Sequence, residues 1–421
     1  MIDAANLDGL VDPRRIEADL RRLIRARSVT GDETAVQAEM LRLLAAAGVP
    51  IERLDPDPLE IARDPDWPGE EVARTSLPIV VGRLGRPGKR RILLVGHVDV
   101  VPPGDPATWT VDPWSGEVRD GDLYGRGACD MKGGVVAIVE ALRVILAVAD
   151  PATFDGELVA AFVPSEEDGG QGMLAAIRAG VVGDAAVITE PTSLDVVVAH
   201  AGAITFRLTV PGRAAHASMR REGVSALEKL QVLMEALADD EALRNAAETE
   251  PLMTAIGLPY PTIIGKVAGG EWASTVPDRV VADGRYGVRL GQTAREAEAD
   301  LRACIARATE ADDFLRNHPV GLEIVGGRFS SAQVPADHPL PVALADAAEA
   351  VLGRRPIFGA RPYGADMRLL VKEGRTPTVI FGPGDARVAH SADEHVPLQE
   401  VADCARVLAL WALRELRTAF G

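Results

Sequence analysis

The chain has 421 residues, 47% of them hydrophobic and 25% charged, and a formal net charge of −17. That length exceeds one ordinary core and implies two domains or three, and the acidic balance excludes a nucleic-acid partner, which needs a basic surface to displace counterions. Three scattered cysteines (Cys129, Cys304, Cys404) offer neither a disulfide framework nor a zinc-type pair. No run reaches the roughly 20 apolar residues of a membrane span, and the N-terminal stretch lacks an apolar signal core. The expectation is a cytoplasmic protein with no membrane partner.

Asp12-Pro13 reads as an N-cap and first-turn proline, and Ile16, Leu20, Leu23 and Ile24 then share one helical face. A second helix is expected from about Glu33 to Ala47, with Gly48 as its stop. Residues 50–78 carry six prolines and many acids, which reads as a surface excursion. Pro78–Leu84 and Arg91–Val95 read as consecutive strands around a glycine-rich turn. Lys132–Val148 is almost uniformly apolar, the mark of a central helix covered on most sides. A strand at Glu157–Val163, a helix at Met173–Ala179 and a strand at Ala185–Thr189 continue the alternation, so a mostly parallel α/β sheet is predicted.

Near Ala203 the pattern changes. Ile204–Val210 alternates apolar and polar side chains, as a half-exposed antiparallel strand does. A helix follows, with Leu227, Leu230, Leu233, Met234 and Leu237 as its apolar positions. Strands near Thr262–Val267 and Arg279–Leu290, a helix around Ala294–Ala308 and a strand at Gly321–Val325 complete a βαββαβ order, the ferredoxin-like arrangement. After about Phe329 the α/β pattern returns, with a helix at Leu340–Leu352, a strand at Pro377–Gly382 and a last helix carrying Val401, Val407, Leu408, Trp411 and Leu416. The expected organisation is an α/β domain in two parts, 1–202 and 328–421, split by an inserted α+β domain at 203–327.

Side chains suited to metal ions gather at the ends of the apolar strands. Arg91–Gly96 runs into His97-Val98-Asp99, where the histidine and aspartate share a face of an extended chain, and a carboxylate there can fix the imidazole tautomer that a metal needs. Glu157–Val163 runs into Ser165-Glu166-Glu167. Neighbouring side chains on an extended chain point apart, so these two glutamates take different roles, one toward a metal and one toward a reacting water. Asp130 precedes the buried helix, Glu190 ends the Ala185–Thr189 strand, and His390 follows Pro377–Gly382. Each has a simpler reading alone: a strand-end histidine, a helix cap, a loop carboxylate, a surface histidine. Together they give two histidines and four acids at comparable topological positions, the inventory of a two-metal hydrolytic site with one carboxylate to spare. No G-x-S-x-G elbow, P-loop or G-x-G-x-x-G helix start competes with it, and Cys129 reads as a small packing residue.

GHVDVVP, GRGACDMKGG, SEEDGG, ITEPTS, GRAAHAS and GPGDARVAHSADE, in this order, resemble the M20 family of metallohydrolases over nearly the whole chain. The resemblance implies a dizinc or dicobalt centre bridged by Asp130, with His97 and Glu190 on one ion and Glu167 and His390 on the other. It implies Glu166 as general base and Asp99 as the partner behind His97. It also implies a homodimer in which His216 of the inserted lid domain reaches the other subunit's site and contributes an oxyanion contact. Ser274 stands where relatives often carry asparagine. Arg285 or Arg289 fills the place of an arginine for the substrate carboxylate, and Gly364 of YGADM the place of a substrate-side glycine. The implied activity is removal of an N-acyl group (acetyl, succinyl or formyl) from an amino acid or related small amine. An exopeptidase acting on dipeptides or short peptides is the alternative, and a non-catalytic small-molecule binding protein a third reading from another class.

Overall fold

The computed structural model describes residues 4–7 and 9–416. Its strands in chain order are β1 (Ile51–Leu54), β2 (Ile79–Gly85), β3 (Arg90–His97), β4 (Glu117–Arg119), β5 (Asp122–Tyr124), β6 (Gly156–Val163), β7 (Ala185–Ile188), β8 (Val196–His200), β9 (Gly202–Pro211), β10 (Thr262–Gly269), β11 (Arg279–Val288), β12 (Gly321–Phe329), β13 (Ala332–Gln333), β14 (Phe358–Arg361), β15 (Thr378–Ile380) and β16 (His395–Pro397). Nine of them form one sheet in the order β1-β2-β6-β3-β7-β15-β8-β13, with β14 also on β8. The central block β6-β3-β7-β15 is parallel. Toward β1 and toward β13 the pairing turns antiparallel, so the sheet is mixed, with its parallel character concentrated in the middle.

Two apolar layers cover this sheet. On one side lie the helices Pro13–Arg25, Thr34–Ala47, Gly133–Val148, Pro339–Leu352 and Leu398–Glu415, packed through residues such as Leu20, Leu44, Ile138, Leu344 and Trp411. The other layer joins the opposite faces of β2, β3, β6 and β7 to Met173, Leu174 and Ile177 of the helix Gln171–Arg178. The first helix starts where its sequence directs: the Asp12 side chain accepts from the amides of Arg14 and Arg15, with Pro13 at the first position. Gly134 lets the Gly133–Val148 helix press against the end of β7, where an added Cβ would meet the Thr189 carbonyl oxygen at 2.1 Å.

A second sheet, β10-β11-β9-β12, is antiparallel throughout. Strand β9 alternates buried and half-buried residues as its sequence predicts. The helices Ala226–Ala246 and Ala294–Ala311 give this sheet its own core of Leu230, Leu233, Leu237, Leu301 and Ile305 on Phe206, Leu208 and Tyr286. That strand order and connectivity are ferredoxin-like.

Some expectations need correction. Leu227 and Met234 are exposed rather than core residues. They are offset around the helix from the row Leu230, Leu233, Leu237, so a wider apolar stripe was read than the sheet covers. Residues 50–78 are not only a surface excursion: β1 pairs with β2, and Arg74 is buried. β2 and β3 are consecutive in sequence but do not pair, because β6 lies between them.

Candidate metal centre

All four central parallel strands deliver side chains at their carboxyl ends, where ligand sites of open α/β sheets lie. β3 ends in His97, β6 leads into Glu166 and Glu167, β7 leads into Glu190, and the loop after β15 carries His390. Asp130 sits in the irregular turn Ala128–Lys132 before the buried helix, with non-helical φ and ψ of −117° and 95°. It is not that helix's cap, which leaves its carboxylate available. Glu394 holds the turn in place, accepting from the amides of Cys129 and Asp130 at 3.0 Å each while it ion-pairs with buried Arg126.

The six predicted residues meet. His97 Nε2 lies 2.9 Å from Asp130 Oδ1 and 3.5 Å from Glu190 Oε1. His390 Nε2 lies 3.4 Å from Asp130 Oδ2 and 3.1 Å from Glu167 Oε2. The two histidines thus approach opposite oxygens of one aspartate. Potential ligand atoms of His97, Asp130 and Glu167, and of His97, Glu166 and Glu190, fall within 4.8 Å of one another. Glu166 therefore lies close enough to join a metal-ligating group, nearer than a purely spare carboxylate requires.

The chemistry of this donor set fits divalent cations. His97 Nδ1 is 3.0 Å from the backbone carbonyl of Asp99, which can only accept, so Nδ1 donates there and Nε2 is turned toward the carboxylate oxygens. A ring nitrogen set among anions calls for a cation between them, a proton or a metal ion. The titration shifts express the same demand. Burial and the charge of Asp130 push Glu167 up to about 7 and Glu190 up to about 8. Burial, with Glu190 and Asp366 nearby, pushes Glu166 well above the usual carboxylate range. Hydrogen bonds to Asp130 and Glu167 raise His390 to about 11. For His97, burial opposes the charged ring, but Glu190, Asp130 and Asp99 outweigh it and raise its pKa. Burial makes Cys129 a poorer thiolate, consistent with packing.

Asp99 differs from its expected part in one respect. Its backbone carbonyl makes the close contact to His97, and its carboxylate stands 3.6 Å from Nδ1. That carboxylate accepts from the amides of Glu166 at 3.1 Å and Glu167 at 3.2 Å, so it fixes the loop that carries both glutamates.

A cavity of about 220 Å³ opens on the cluster, lined by Asp130, Glu166, Glu167, Glu190, Tyr363, Gly364 and His390 among others. Gly364 lines this cavity. Arg285 reaches the adjoining loop from β11 of the second sheet, its Nη2 donating to Pro362 O at 3.1 Å. Arg289 does not: it lines a separate cavity with Arg244 and Glu248. His216 and Ser274 lie side by side and exposed, where Ala217 N donates to Ser274 O at 2.9 Å, and neither lines the cavity on the cluster.

Sequence reasoning missed the supports: Glu394 with Arg126, and a buried triad in which Arg74 bridges Glu33 and Asp168. Arg74 comes from the proline-rich stretch taken for surface, and nothing local marks it. Tyr363, within the quoted YGADM motif, gave the best available signal for the cavity wall.

Fold and site together define a hydrolase of the carboxylate-and-histidine metal type. The model of peptidase family M20/M25/M40 matches residues 93–414, and the chain belongs to that family. A succinyl-diaminopimelate desuccinylase of Gluconacetobacter diazotrophicus is 30% identical over 413 residues, covering 95% of this chain and 94% of the relative. An acetylornithine deacetylase of Photorhabdus laumondii is 27% identical over 81% of this chain and 85% of its own. Among solved structures, human carnosine dipeptidase 1 has the same fold, with a TM-score of 0.73 and 16% identity over 98% of both chains. No helix among the described residues is long and apolar enough to cross a membrane.

Proposed function

We propose that this chain is a dinuclear metal-dependent amidohydrolase that removes an N-acyl group from an amino acid or related small amine. The observation that carries the reading is the convergence of His97 and His390 on the two oxygens of Asp130, with Glu190 and Glu167 beside them and Glu166 in the same cavity. Asp130 would bridge two ions, zinc in our reading with cobalt as a substitute, with His97 and Glu190 on one and Glu167 and His390 on the other. The chemistry such a pair supplies when bound is Lewis acidity toward the amide carbonyl and acidification of the attacking water. Glu166 takes the proton from that water and returns it to the leaving amine, and its buried position favours a carboxyl able to hold the proton between the two steps. Asp99 keeps Glu166 and Glu167 in register through their amides. Arg285, beside Pro362, is our choice for the substrate carboxylate.

The exopeptidase alternative is favoured by the dipeptidase of the same fold. One screen separates the two. Purified protein is assayed for bound metal, then for hydrolysis of N-acetyl, N-succinyl and N-formyl amino acids beside dipeptides, before and after chelation. We expect about two ions per chain and chelator-sensitive cleavage of N-acyl substrates. Cleavage of dipeptides alone would move the assignment to the peptidase, and tight binding without turnover would make it a binding protein.

We further propose a homodimer in which His216 serves the partner's site, since within one chain it lies away from the cavity. Mixing inactive His216→Ala and Glu166→Gln proteins then restores part of the activity, as heterodimers regain one complete site; no recovery on subunit exchange would refute the shared site. A cytoplasmic location fits three thiols that are all free and buried.

A further inference from the structure

Hydrolysis at the cluster collects negative charge on the amide carbonyl oxygen as water attacks, and a donor aimed at that oxygen lowers the barrier. His216, the donor that the family resemblance implies, does not line the cavity on the cluster. Most side chains that do line it cannot take its place. Asp130, Glu166, Glu167 and Glu190 are carboxylates, His390 turns Nε2 to Asp130 and Glu167, and the others carry no polar side-chain atom, with one exception. The exception is Tyr363.

The surroundings of its hydroxyl decide which way the proton points. Arg361, at the end of β14, stands within hydrogen-bonding range of the phenol oxygen, and its charge acts on it. A guanidinium only donates, so toward Arg361 this oxygen can only accept, and its one proton turns elsewhere. The charges of Glu190 and Asp130 act on the same hydroxyl. A cation on one side and carboxylates on the other orient the O–H dipole toward the cluster. Arg361 has other partners as well: its charge acts on Asp385, and its Nη1 donates to Ala360 O at 3.0 Å. Burial is the largest influence on the phenol and raises its pKa, which keeps it a neutral donor.

The segment that carries Tyr363 is held at both ends. Arg285 donates to Pro362 O at 3.1 Å, and buried Arg368 donates to Ala365 O at 2.9 Å. The hydroxyl is therefore in place before a substrate arrives, as electrostatic stabilisation requires.

We infer that Tyr363 is a further catalytic residue of this chain, its hydroxyl donating a hydrogen bond to the amide carbonyl oxygen as that oxygen gains charge. The inference rests on amide hydrolysis at the cluster and holds for a deacylase and an exopeptidase alike. No proton is transferred at the phenol. It keeps its hydrogen throughout, while Glu166 carries the proton of the water to the leaving amine.

The test compares metal-loaded wild type and Tyr363→Phe on whichever N-acetyl, N-succinyl or N-formyl amino acid or dipeptide the wild type cleaves fastest. The substitution removes one oxygen and keeps the ring, and rates are taken per metal-loaded chain. The variant's kcat should fall by about 10² to 10³, the loss that follows removal of one donor at such an oxygen, with KM and metal content little changed. A phosphonamidate analogue of the same substrate places a charged tetrahedral oxygen where the carbonyl oxygen reacts. Its affinity should fall by a similar factor, while the product amino acid binds as before. That pair of affinities separates stabilisation of the charged oxygen from a purely structural part, because a disturbed cavity wall weakens analogue and product together. Wild-type kcat in Tyr363→Phe, or equal losses of analogue and product affinity, overturns the role. A wild type that cleaves no amide of the series overturns the hydrolase reading itself, whereas an active wild type matched by Tyr363→Phe overturns only the part given to Tyr363.

Discussion

The metal-type cluster and the face of the second sheet around His216 hold polar side chains in different ways. At the sheet end, buried charges brace the segments that carry Glu166, Glu167 and Asp130: Asp99 under the Glu166–Glu167 amides, Glu394 under the Asp130 amide, and Arg74 between Glu33 and Asp168, with Asp168 accepting from Ser165 at 2.6 Å. Beside the second sheet, the His216 side chain bonds the neighbouring Ser218 and the Arg207–Asp283 pair lies at the surface, although Arg244, paired with Asp240 on the helix above, is buried. The first arrangement fixes positions in advance, as electrostatic catalysis requires. The second leaves the His216 side chain exposed at the surface. The lesson is that the site's geometry is set from beneath, by residues that never reach the cavity.

Glu166→Gln should sharpen this contrast most. The amide keeps the shape of the loop and removes the proposed base, so kcat should fall by about 10² to 10⁴ with bound metal unchanged, measured by turnover and elemental analysis on one sample. Near-normal turnover would show that the base lies elsewhere.

Arg74→Leu probes the bracing itself. Removing one partner of a buried charge cluster leaves Glu33 and Asp168 uncompensated and should cost about 3–5 kcal/mol in denaturant unfolding. Burial and the charge of Asp99 already push Glu33 up to about 7 with Arg74 in place, so the triad is poorly placed to lose its cation. A midpoint equal to the wild type's would mean that the triad does not brace the loop.

His200 supplies a pH test on β8. Burial lowers its pKa to about 4, and its Nδ1 donates to Ala201 O at 2.6 Å. The folded state thus favours the neutral ring. Its contribution is complete above an unfolded pKa near 6.5 and is lost as pH falls from there toward 4, by roughly 3 kcal/mol in all. His200→Gln should flatten that part of the stability-versus-pH curve, and an unchanged slope would assign the acid lability to other groups. The smallest effect is expected from Arg207→Ala on β9. Its pair with Asp283 is exposed and screened, so the unfolding midpoint should move by only a small fraction of the Arg74→Leu shift.

The sequence by itself determined the local elements and the cast of reactive residues. Period and capping mark the helix that begins after Asp12 and the alternating strand β9, because both signals are written within a few residues of the structure they specify. His97, Asp130, Glu166, Glu167, Glu190 and His390 were legible because each lies at the end of an apolar run or beside glycines, inside motifs matching a known family. Only the tertiary structure decided what lies between and beneath them. It placed β6 between β2 and β3, separated Arg285 from Arg289 although they are four residues apart, and brought Arg74 under a loop nearly a hundred residues further on. The reason is physical: charge compensation in a low-dielectric interior depends on distance in space, and a residue's sequence neighbours carry no trace of the partner it will meet.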